Sequence, residues 1–304
     1  GGFLLLLLLW WLLVFFFWFW FLDFFTLTSA IEDDWSTHGH LQDNTLDVVK
    51  GFQENSKVPV KYVKETRQGL SYARNRGIAE SNGKYVAFID DDAIADRNWV
   101  AFLYEAFQRN GCDCIGGRIY LKPLREWPRW LKKELWGFLA YLDYGDEPFQ
   151  VTDHYIHGTN MAFTREILDR VGVFNVHLGR TAYIPTGGEE TALLEKILKA
   201  KGKVYYCPEA KVHHLVEGYK LKKKYFRRLH YLEGFNNGKA YNGEIKRHIF
   251  GVPLFIFPQF LRSLLRFFQN PTLRIQMNIW WYLGFIKGRT IWYRNNFSLQ
   301  KIPK

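Results

Sequence analysis

Three adjacent carboxylates, Asp90, Asp91 and Asp92, follow an apolar and β-prone run, Tyr85 to Ile89, with no cation beside them. Carboxylates this close repel one another unless a metal ion or a ligand lies between them. The end of a strand is also where open α/β sheets place their ligands, because side chains there project from a rigid edge into a crevice. The triplet therefore predicts a metal and phosphate site; the alternative is an acidic turn that caps a helix starting near Asp96.

The segments around the triplet alternate between strand and helix patterns. A short strand ends at residues 31–34, and a helix follows with Asp43 or Asn44 as its cap. Residues 58–63 predict the next strand, and residues 69–79 predict a loop that enters a helix. This β-α-β-α-β order, with polar residues at the strand exits, is typical of an α/β fold with a Rossmann-like, nucleotide-binding open sheet.

The cysteine content indicates a reduced protein without structural disulfides. Cys112, Cys114 and Cys207 give an odd count and no disulfide spacing. Cys112 and Cys114 also lack the second pair that a zinc site needs, so we expect all three to be structural.

The net charge of +11 is concentrated at one end of the chain. Residues 1–210 hold 23 Lys and Arg against 27 Asp and Glu, whereas residues 211–304 hold 18 against 3. In this basic tail the cations alternate with large apolar and aromatic residues, a pattern that suits helices lying in the headgroup layer of an anionic membrane. An amphipathic core helix and a nucleic-acid surface are the alternatives.

The N-terminal residues 1–22 are almost wholly Leu, Phe and Trp. By length and hydropathy this run predicts a transmembrane helix. It has almost none of the small residues that spanning helices use for packing, which favours a stand-in for the first strand and helix of the fold. We therefore expect three regions: a hydrophobic segment (1–28) with both interpretations open, a catalytic domain (29–216) and a basic, aromatic-rich helical region (217–304).

A series of short motifs occurs in a characteristic order between residues 30 and 216. They are the segments Gly69–Gly77, Gly83–Asp92, Asn98–Val100, Gly158–Phe163, Val171–Phe174, Gly187–Leu194 and Pro208–His214. In this order they resemble the family 2 inverting glycosyltransferases of the GT-A fold, of the type that acts in bacterial polysaccharide synthesis. The resemblance implies a nucleotide-sugar donor and a divalent metal ion, Mg²⁺ or Mn²⁺.

The resemblance also implies roles for particular residues in binding the donor and the metal. Asp90 and Asp92 match the DxD pair, with Asp92 the principal metal ligand and Asp90 or Asp91 turned toward the ribose. His214 matches a position that completes the metal shell, although a buried histidine bonded in a core turn is the alternative. Three further positions are expected to bind the donor. Asp34 matches a carboxylate that accepts a hydrogen bond from the nucleotide base, and Arg74 can pair with phosphate. Asn75, next to Arg74, is the third.

The catalytic base is expected at the segment Gly187–Glu190. The acceptor hydroxyl must lose a proton as it attacks the anomeric carbon, so a carboxylate is needed there. By the resemblance Glu190 is the base, although the family more often has Asp at this position. Glu189 is then a neighbour that raises the pKa of Glu190 or caps a helix beginning at Thr191. The alternative is that both glutamates are simply residues of a first helical turn.

The expected partners follow from this reading. They are a nucleotide sugar, a glycan or lipid-linked acceptor, an anionic membrane surface and other polysaccharide-synthesis proteins, with no nucleic acid. We expect a location at the cytoplasmic face of a membrane, peripheral or with one N-terminal anchor. Two other functions stay open, an inactive membrane-bound scaffold built on a transferase fold and a nucleotidyltransferase.

Overall fold

A computed structural model describes residues 25–30, 45–153, 155–178, 187–243 and 247–298. Two compact units share these residues. The first holds the described residues up to 178 together with 187–217, and the second holds those from 218 onward. Each unit has its own secondary structure and packing.

The first unit is built on a mixed β-sheet of seven strands: β1 (Phe25–Ala30), β2 (Tyr85–Asp90), β3 (Ala93–Ala95), β4 (Cys114–Pro123), β5 (Phe149–Gln150), β6 (Asn160–Thr164) and β7 (Val204–Val216). Their order is β1-β2-β6-β4-β7-β3, and β5 also pairs with β7. The pairs β1–β2 and β4–β7 are parallel and the others are antiparallel. The prediction of an α/β open sheet is confirmed.

The described residues of this unit form five α-helices, α1 (Thr45–Asn55), α2 (Leu70–Glu80), α3 (Trp99–Asn110), α4 (Arg165–Val171) and α5 (Glu189–Lys199), and a 3-10 helix (Lys133–Leu139). The predicted helices after Asn44 and Gly69 are therefore present. Strand β2 is apolar and buried from Tyr85 to Ile89, as expected for a strand covered on both faces. It carries Asp90 to the edge of the sheet, where the site described below lies.

The local pattern was misleading at residues 58–63, which form no strand in the structure. Pro59 in this segment has no N–H to donate to a ladder, and the exposed Lys61 and Tyr62 contribute little to a core. Strand β1 also begins at Phe25, inside the segment 1–28 that was expected to precede the catalytic domain. The predicted strand exit at residues 31–34, including Asp34, lies outside the described residues.

The prediction that the cysteines are structural is confirmed, because Cys112, Cys114 and Cys207 are free and buried. Burial raises the pKa of the Cys112 thiol to about 12, which keeps it protonated and unreactive at neutral pH.

One buried amide ties three strands to helix α3. The Asn160 side chain on β6 donates to the carbonyl oxygens of Arg118 (3.0 Å) on β4 and Ala210 (2.7 Å) on β7. Its oxygen accepts a hydrogen bond from the indole N–H of Trp99 at 2.9 Å. A Cβ at Gly117 would overlap both the Asn160 amide and Ala210 O, so glycine leaves the room that this linkage needs.

The second unit consists of helices α6 (Lys223–Ala240), α7 (Ile256–Gln269) and α8 (Leu273–Ser298) and a hairpin of strands β8 (His248–Ile249) and β9 (Val252–Pro253). Helices α6 and α8 approach each other closely through two glycine pairs, Gly234 with Gly238 and Gly284 with Gly288. A Cβ at any of these four positions would overlap the backbone of the partner helix. Spacing by four residues places each pair on one helix face, which allows the backbones to touch.

No helix in the described ranges is long and apolar enough to cross a membrane. The N-terminal run to which the transmembrane prediction applies, residues 1–22, lies outside those ranges.

Replacing the buried amide tests how much the first unit depends on it. We expect Asn160→Leu to lower the free energy of unfolding by about 3 kcal/mol or more, because it leaves one indole N–H and two carbonyl oxygens buried without partners. Asn110→Leu is the control, since its amide makes one local bond at the end of α3 and its loss should cost less than about 1 kcal/mol. Urea unfolding measures both, and equal effects would contradict this role of Asn160.

Candidate active site

A single buried arginine holds three carboxylates together in the first unit. Arg74, on α2, is only 2% exposed, and its Nη1 lies 2.9 Å from Glu189 Oε1 and 3.8 Å from Glu190 Oε1. Its Nη2 lies 3.4 Å from Asp90 Oδ1 at the end of β2. Helix α2, strand β2 and the first turn of α5 therefore meet at one guanidinium.

A glycine makes this meeting point possible. A Cβ at Gly158 would lie 2.5 Å from both Arg74 Nη2 and Glu190 Oε1. Because such a contact is shorter than atoms tolerate, any larger residue would displace the ion pair. Gly158 was part of the motif pattern in the sequence, but only the structure shows what its missing side chain leaves room for.

Two further side chains, Thr159 and His157, belong to the cluster, although the sequence had given neither of them a role. Thr159 donates its hydroxyl to Asp90 Oδ2 at 2.6 Å, and the same hydroxyl lies 3.1 Å from His157 Nδ1. The signal for Thr159 was the motif that begins at Gly158, since Thr159 directly precedes β6, which pairs with β2. His157 lies just before that motif, and no pattern in the sequence marked it. Asp90 is thus held on one oxygen by Arg74 and on the other by Thr159.

The two glutamates have different protonation tendencies. Burial, together with the negative charge of Glu190, raises the pKa of Glu189 to about 7, although Arg74 opposes the shift. Burial acts on Glu190 in the same direction, but Arg74 and His157 outweigh it and lower the pKa of Glu190. The sequence-based expectation that Glu189 raises the pKa of Glu190 is therefore wrong, because Arg74 and His157 stabilise the charge on Glu190.

The local backbone explains why both carboxyl groups reach Arg74. Helix α5 begins at Glu189, two residues before the expected start at Thr191, and follows Gly188, whose φ of 116° favours glycine. Both glutamates do lie in the first turn, as the alternative reading held, where the helix dipole favours negative charge. Glu189 Oε2 is buried and has no hydrogen-bond partner among the described residues.

Asp92 and His214 form a second pair at this edge of the sheet. Strand β3 is antiparallel to β7, with Ala93 opposite His214, and Asp92 Oδ2 lies 3.0 Å from His214 Nε2. Since His214 Nδ1 lies 2.8 Å from Leu139 O, that nitrogen carries a proton and donates it to the carbonyl. In the neutral ring Nε2 is then an acceptor that faces a carboxylate oxygen, so a second proton or a metal ion must lie between them.

The acidic triplet does not cap helix α3. This helix begins at Trp99 after Asn98, while Asp90 and Asp92 are engaged with Thr159 and His214. Asp96, near the expected start of the helix, instead pairs with His213 Nε2 at 3.0 Å. Asp91 is half-buried in the turn between Asp90 and Asp92.

One predicted donor-binding residue, Asn75, lies outside the cluster. The Asn75 amide donates to Phe174 O at 2.8 Å and accepts from Phe174 N at 3.0 Å, so it fastens a loop and does not join the cluster. Asp34 lies outside the described residues. Arg74 is in the cluster, but its guanidinium faces carboxylates, and a contact between it and phosphate stays a prediction.

The metal set Asp90, Asp92 and His214 is only partly assembled. In the described ranges no group of three or more His, Cys, Asp and Glu side chains could hold a metal ion. The pair of Asp92 and His214 nevertheless fits a divalent ion that takes its other oxygens from a diphosphate and water, as Mg²⁺ commonly does. The bond from His214 Nδ1 to a backbone carbonyl also matches the way in which metal-bound histidines are oriented.

Comparison with known proteins gives the following similarities. Residues 39–172 match the profile of Glycosyl transferase family 2. The glucosyl-dolichyl phosphate glucuronosyltransferase of Haloferax volcanii is 26% identical over 165 residues, which are 53% of this chain and 52% of that protein. The succinoglycan biosynthesis protein ExoM of Rhizobium meliloti is 26% identical over 168 residues, 55% of this chain and 51% of that protein.

Among solved structures, the mannosyltransferase PcManGT from Pyrobaculum calidifontis, in complex with GDP-Man and Mn²⁺, superposes with a TM-score of 0.48. The identity is 14%, over 87% of this chain and 77% of that one. The chain spans about half the length of the two curated relatives named above.

The raised pKa of Glu189 predicts a specific pH dependence of stability. A carboxyl group with a folded-state pKa of about 7, against 4.5 when unperturbed, contributes stability that is fully present below about pH 4.5 and is lost as the pH rises through about 7. Relative to Glu189→Gln, the wild-type free energy of unfolding should therefore fall over this range, by on the order of 3 kcal/mol.

Urea unfolding of the wild type and of Glu189→Gln at intervals from pH 4 to pH 8 measures this difference. Glu195→Gln is the matched control on the same helix, since Glu195 is exposed and its variant should follow the wild-type curve. Parallel curves for the wild type and Glu189→Gln would show that Glu189 does not hold a proton in the folded state.

Proposed function

We propose that the chain, whose residues 39–172 match the Glycosyl transferase family 2 profile, transfers a sugar from a nucleotide-diphosphate sugar to a glycan or lipid-linked acceptor. The GT-A fold class predicted from the sequence is that of the family. The reaction proposed is an inverting single displacement of a hexosyl group, with Mg²⁺ or Mn²⁺ bound beside the diphosphate.

The observation that carries this proposal is the arrangement of the two glutamates around Arg74. Glu190 keeps a lowered pKa and is ionised at neutral pH, while Glu189 beside it tends to hold a proton. An ionised carboxylate can accept the proton of an attacking hydroxyl. Glu190 is the proposed base, and Arg74 (3.8 Å from Glu190 Oε1) and the backbone N–H of Gly188 (3.4 Å from Oε2) orient its carboxylate.

Asp92 and His214 are the proposed protein ligands of the metal ion. When bound, a divalent ion supplies Lewis-acid neutralisation of the charge that develops on the diphosphate leaving group. Leu139 fixes the His214 ring so that Nε2 can act as a ligand. Thr159 and Arg74 hold Asp90 by both oxygens, which supports the proposal that Asp90 orients the donor. Asp91 and Asn75 stay predicted donor-binding residues.

We also propose a class of acceptor for the transferred sugar. The names of the two curated relatives refer to glucosyl-dolichyl phosphate and to succinoglycan biosynthesis, which supports a lipid-linked or polysaccharide acceptor. A role in cell-surface polysaccharide synthesis, contact with other proteins of that synthesis and a location at the cytoplasmic face of a membrane remain predictions, as does an N-terminal anchor in residues 1–28.

Incubation of the full chain with a panel of nucleotide sugars, Mg²⁺ or Mn²⁺ and a lipid extract tests the proposal. Sugar appearing in the lipid or glycan fraction is the expected result. Donor binding without turnover would favour an inactive scaffold, and transfer of a nucleotidyl group would favour a nucleotidyltransferase. The intact Arg74–Glu190 arrangement argues against the scaffold, and a nucleotidyltransferase has no need for the Gly187–Glu190 segment with its two adjacent glutamates.

Replacing the proposed metal ligand separates metal binding from folding. Asp92→Asn should abolish transfer and weaken donor binding in the presence of Mn²⁺, because an amide is a poor ligand for a hard cation, while stability changes little. Asp96→Asn is the matched control, since Asp96 makes a similar pair with the adjacent His213. Calorimetric titration of donor with and without Mn²⁺ is the measurement, and full activity of Asp92→Asn would remove Asp92 from the metal site.

Replacing the proposed base separates chemistry from binding. Glu190→Gln keeps the shape of the side chain but cannot accept a proton, so donor affinity should survive while kcat falls by a factor on the order of 10² to 10⁴. Glu189→Gln should have the milder effect on kcat. Steady-state kinetics with matched donor-binding measurements distinguish the two, and the reverse order of effects would assign the base to Glu189.

A further inference from the structure

Helix α7 of the second unit is apolar yet largely uncovered. Eight of its fourteen residues are Ile, Leu or Phe, but only Ile256 is buried. Leu261 and Leu265 are each 55% exposed, and Phe268 is 81% exposed. An apolar helix of a globular protein normally covers such side chains against a core, so this surface is one that calls for a partner.

The covered and uncovered residues lie on different sides of the helix. Ile256 packs with Val252 and Phe285, and Gln259 and Phe260 both contact Tyr282 of α8, so one side of α7 lies against α8. Leu261, Leu265 and Phe268 follow one another at intervals of four and three residues, which places them in one stripe. The neighbouring helix therefore leaves this stripe free on the described surface of the unit.

The hairpin before α7 adds a second uncovered apolar group. Phe250 lies at its tip, is 70% exposed and has a φ of 47°, in the left-handed region that a bulky side chain rarely occupies. The turn is held in place because Arg289 donates to Gly251 O at 3.0 Å. Backbone strain that retains an exposed phenylalanine points to a use for that side chain.

The charge around these groups selects the kind of partner. Arg262 and Arg266 are exposed on the polar side of α7, one residue after Leu261 and Leu265. In the sequence, residues 245–304 contain ten Lys and Arg and neither Asp nor Glu. A surface that combines an apolar stripe with flanking cations fits an anionic lipid layer, where the apolar groups enter the acyl boundary and the cations meet headgroups.

The same charges disfavour the other occupants. In a symmetric contact between two copies of this chain the arginines of both copies would come together, and the segment has no carboxylate to pair with them. Aliphatic Leu261 and Leu265 also cannot stack with bases, as the aromatic groups of single-strand binding proteins do.

We propose that the α7 stripe (Leu261, Leu265 and Phe268) and Phe250 form an in-plane anchor that binds an anionic membrane surface. The apolar side chains of the anchor insert into the lipid layer, and Arg262 and Arg266 contact its anionic headgroups. The Lys and Arg residues at the start of α6 are not part of this anchor. It is independent of the catalytic assignment, since it concerns residues of the second unit and a binding measurement alone.

Vesicle flotation of the full chain tests the anchor, with vesicles of phosphatidylcholine alone and with about one third phosphatidylserine. The wild type should float with the anionic vesicles, and the triple variant Leu261→Gln, Leu265→Gln and Phe268→Gln should reduce binding by about tenfold or more. Arg262→Gln with Arg266→Gln should reduce it by on the order of tenfold at low salt and less at high salt.

A matched control replaces three exposed apolar residues of the first unit, Leu46→Gln, Leu124→Gln and Phe138→Gln, and should bind like the wild type. Phe250→Ser, a single change in a turn, guards against a triple variant that misfolds and should also weaken binding. Circular dichroism checks the fold of each variant, and light scattering checks its mass.

Three outcomes would overturn the proposal. Equal binding to neutral and anionic vesicles would remove the role of charge, and unchanged binding of both the triple variant and Phe250→Ser would remove the stripe. A wild type that is a dimer in solution, and that becomes a monomer in the triple variant without binding vesicles, would assign the stripe to a contact between copies.

Discussion

The ion pair cluster at Arg74 is the interaction on which the candidate site depends. One guanidinium, almost fully buried, faces the carboxyl groups of Asp90, Glu189 and Glu190, and these come from two elements far apart in the chain. Removing one member of a buried ion pair leaves an uncompensated charge that typically costs about 3–5 kcal/mol. The cluster therefore fixes how helix α2, the end of β2 and the start of α5 meet, and Gly158 leaves the space in which they do so.

One positive charge cannot balance three negative charges in a buried setting, and the protonation of the glutamates follows from this. Glu189, the more buried of the two, has a pKa of about 7, while Glu190 has a lowered pKa. The result is a pair of chemically identical side chains in which one favours the acid form and the other the base form, set by their surroundings alone. The nearby pair of Asp92 and His214 consists of two facing acceptors, which need a second proton or a metal ion between them.

The three helices of the second unit are packed to different extents. The glycine pairs of α6 and α8 bring two helix backbones into contact, so these two helices cover each other efficiently. Helix α7 packs against α8 through one side only, around Ile256 and Phe260. The remaining apolar side has no cover from this unit, and its amphipathic pattern is strong even though little of it is buried. Because α6 and α8 pack against each other, they leave the apolar stripe of α7 exposed, and this exposed stripe is the surface that suits a lipid layer.

Sequence patterns alone predicted the α/β class, the apolar strand that ends at the Asp triplet, helix α2 and the structural role of the cysteines. These follow from local periodicity, from turn residues and from the order of short motifs, all of which are readable along the chain. They were wrong about a strand at residues 58–63 and about the start of α5, where the local pattern was not supported by packing. The packing of distant residues shows that Arg74 faces carboxylates, that Asn75 fastens a loop at Phe174 and that Thr159 and His157 belong to the site. It also decides which glutamate holds the proton. The physical reason is that a pKa or an ion pair depends on burial and on charges brought together from distant residues, such as Arg74 and Glu189, and no local pattern records those distances.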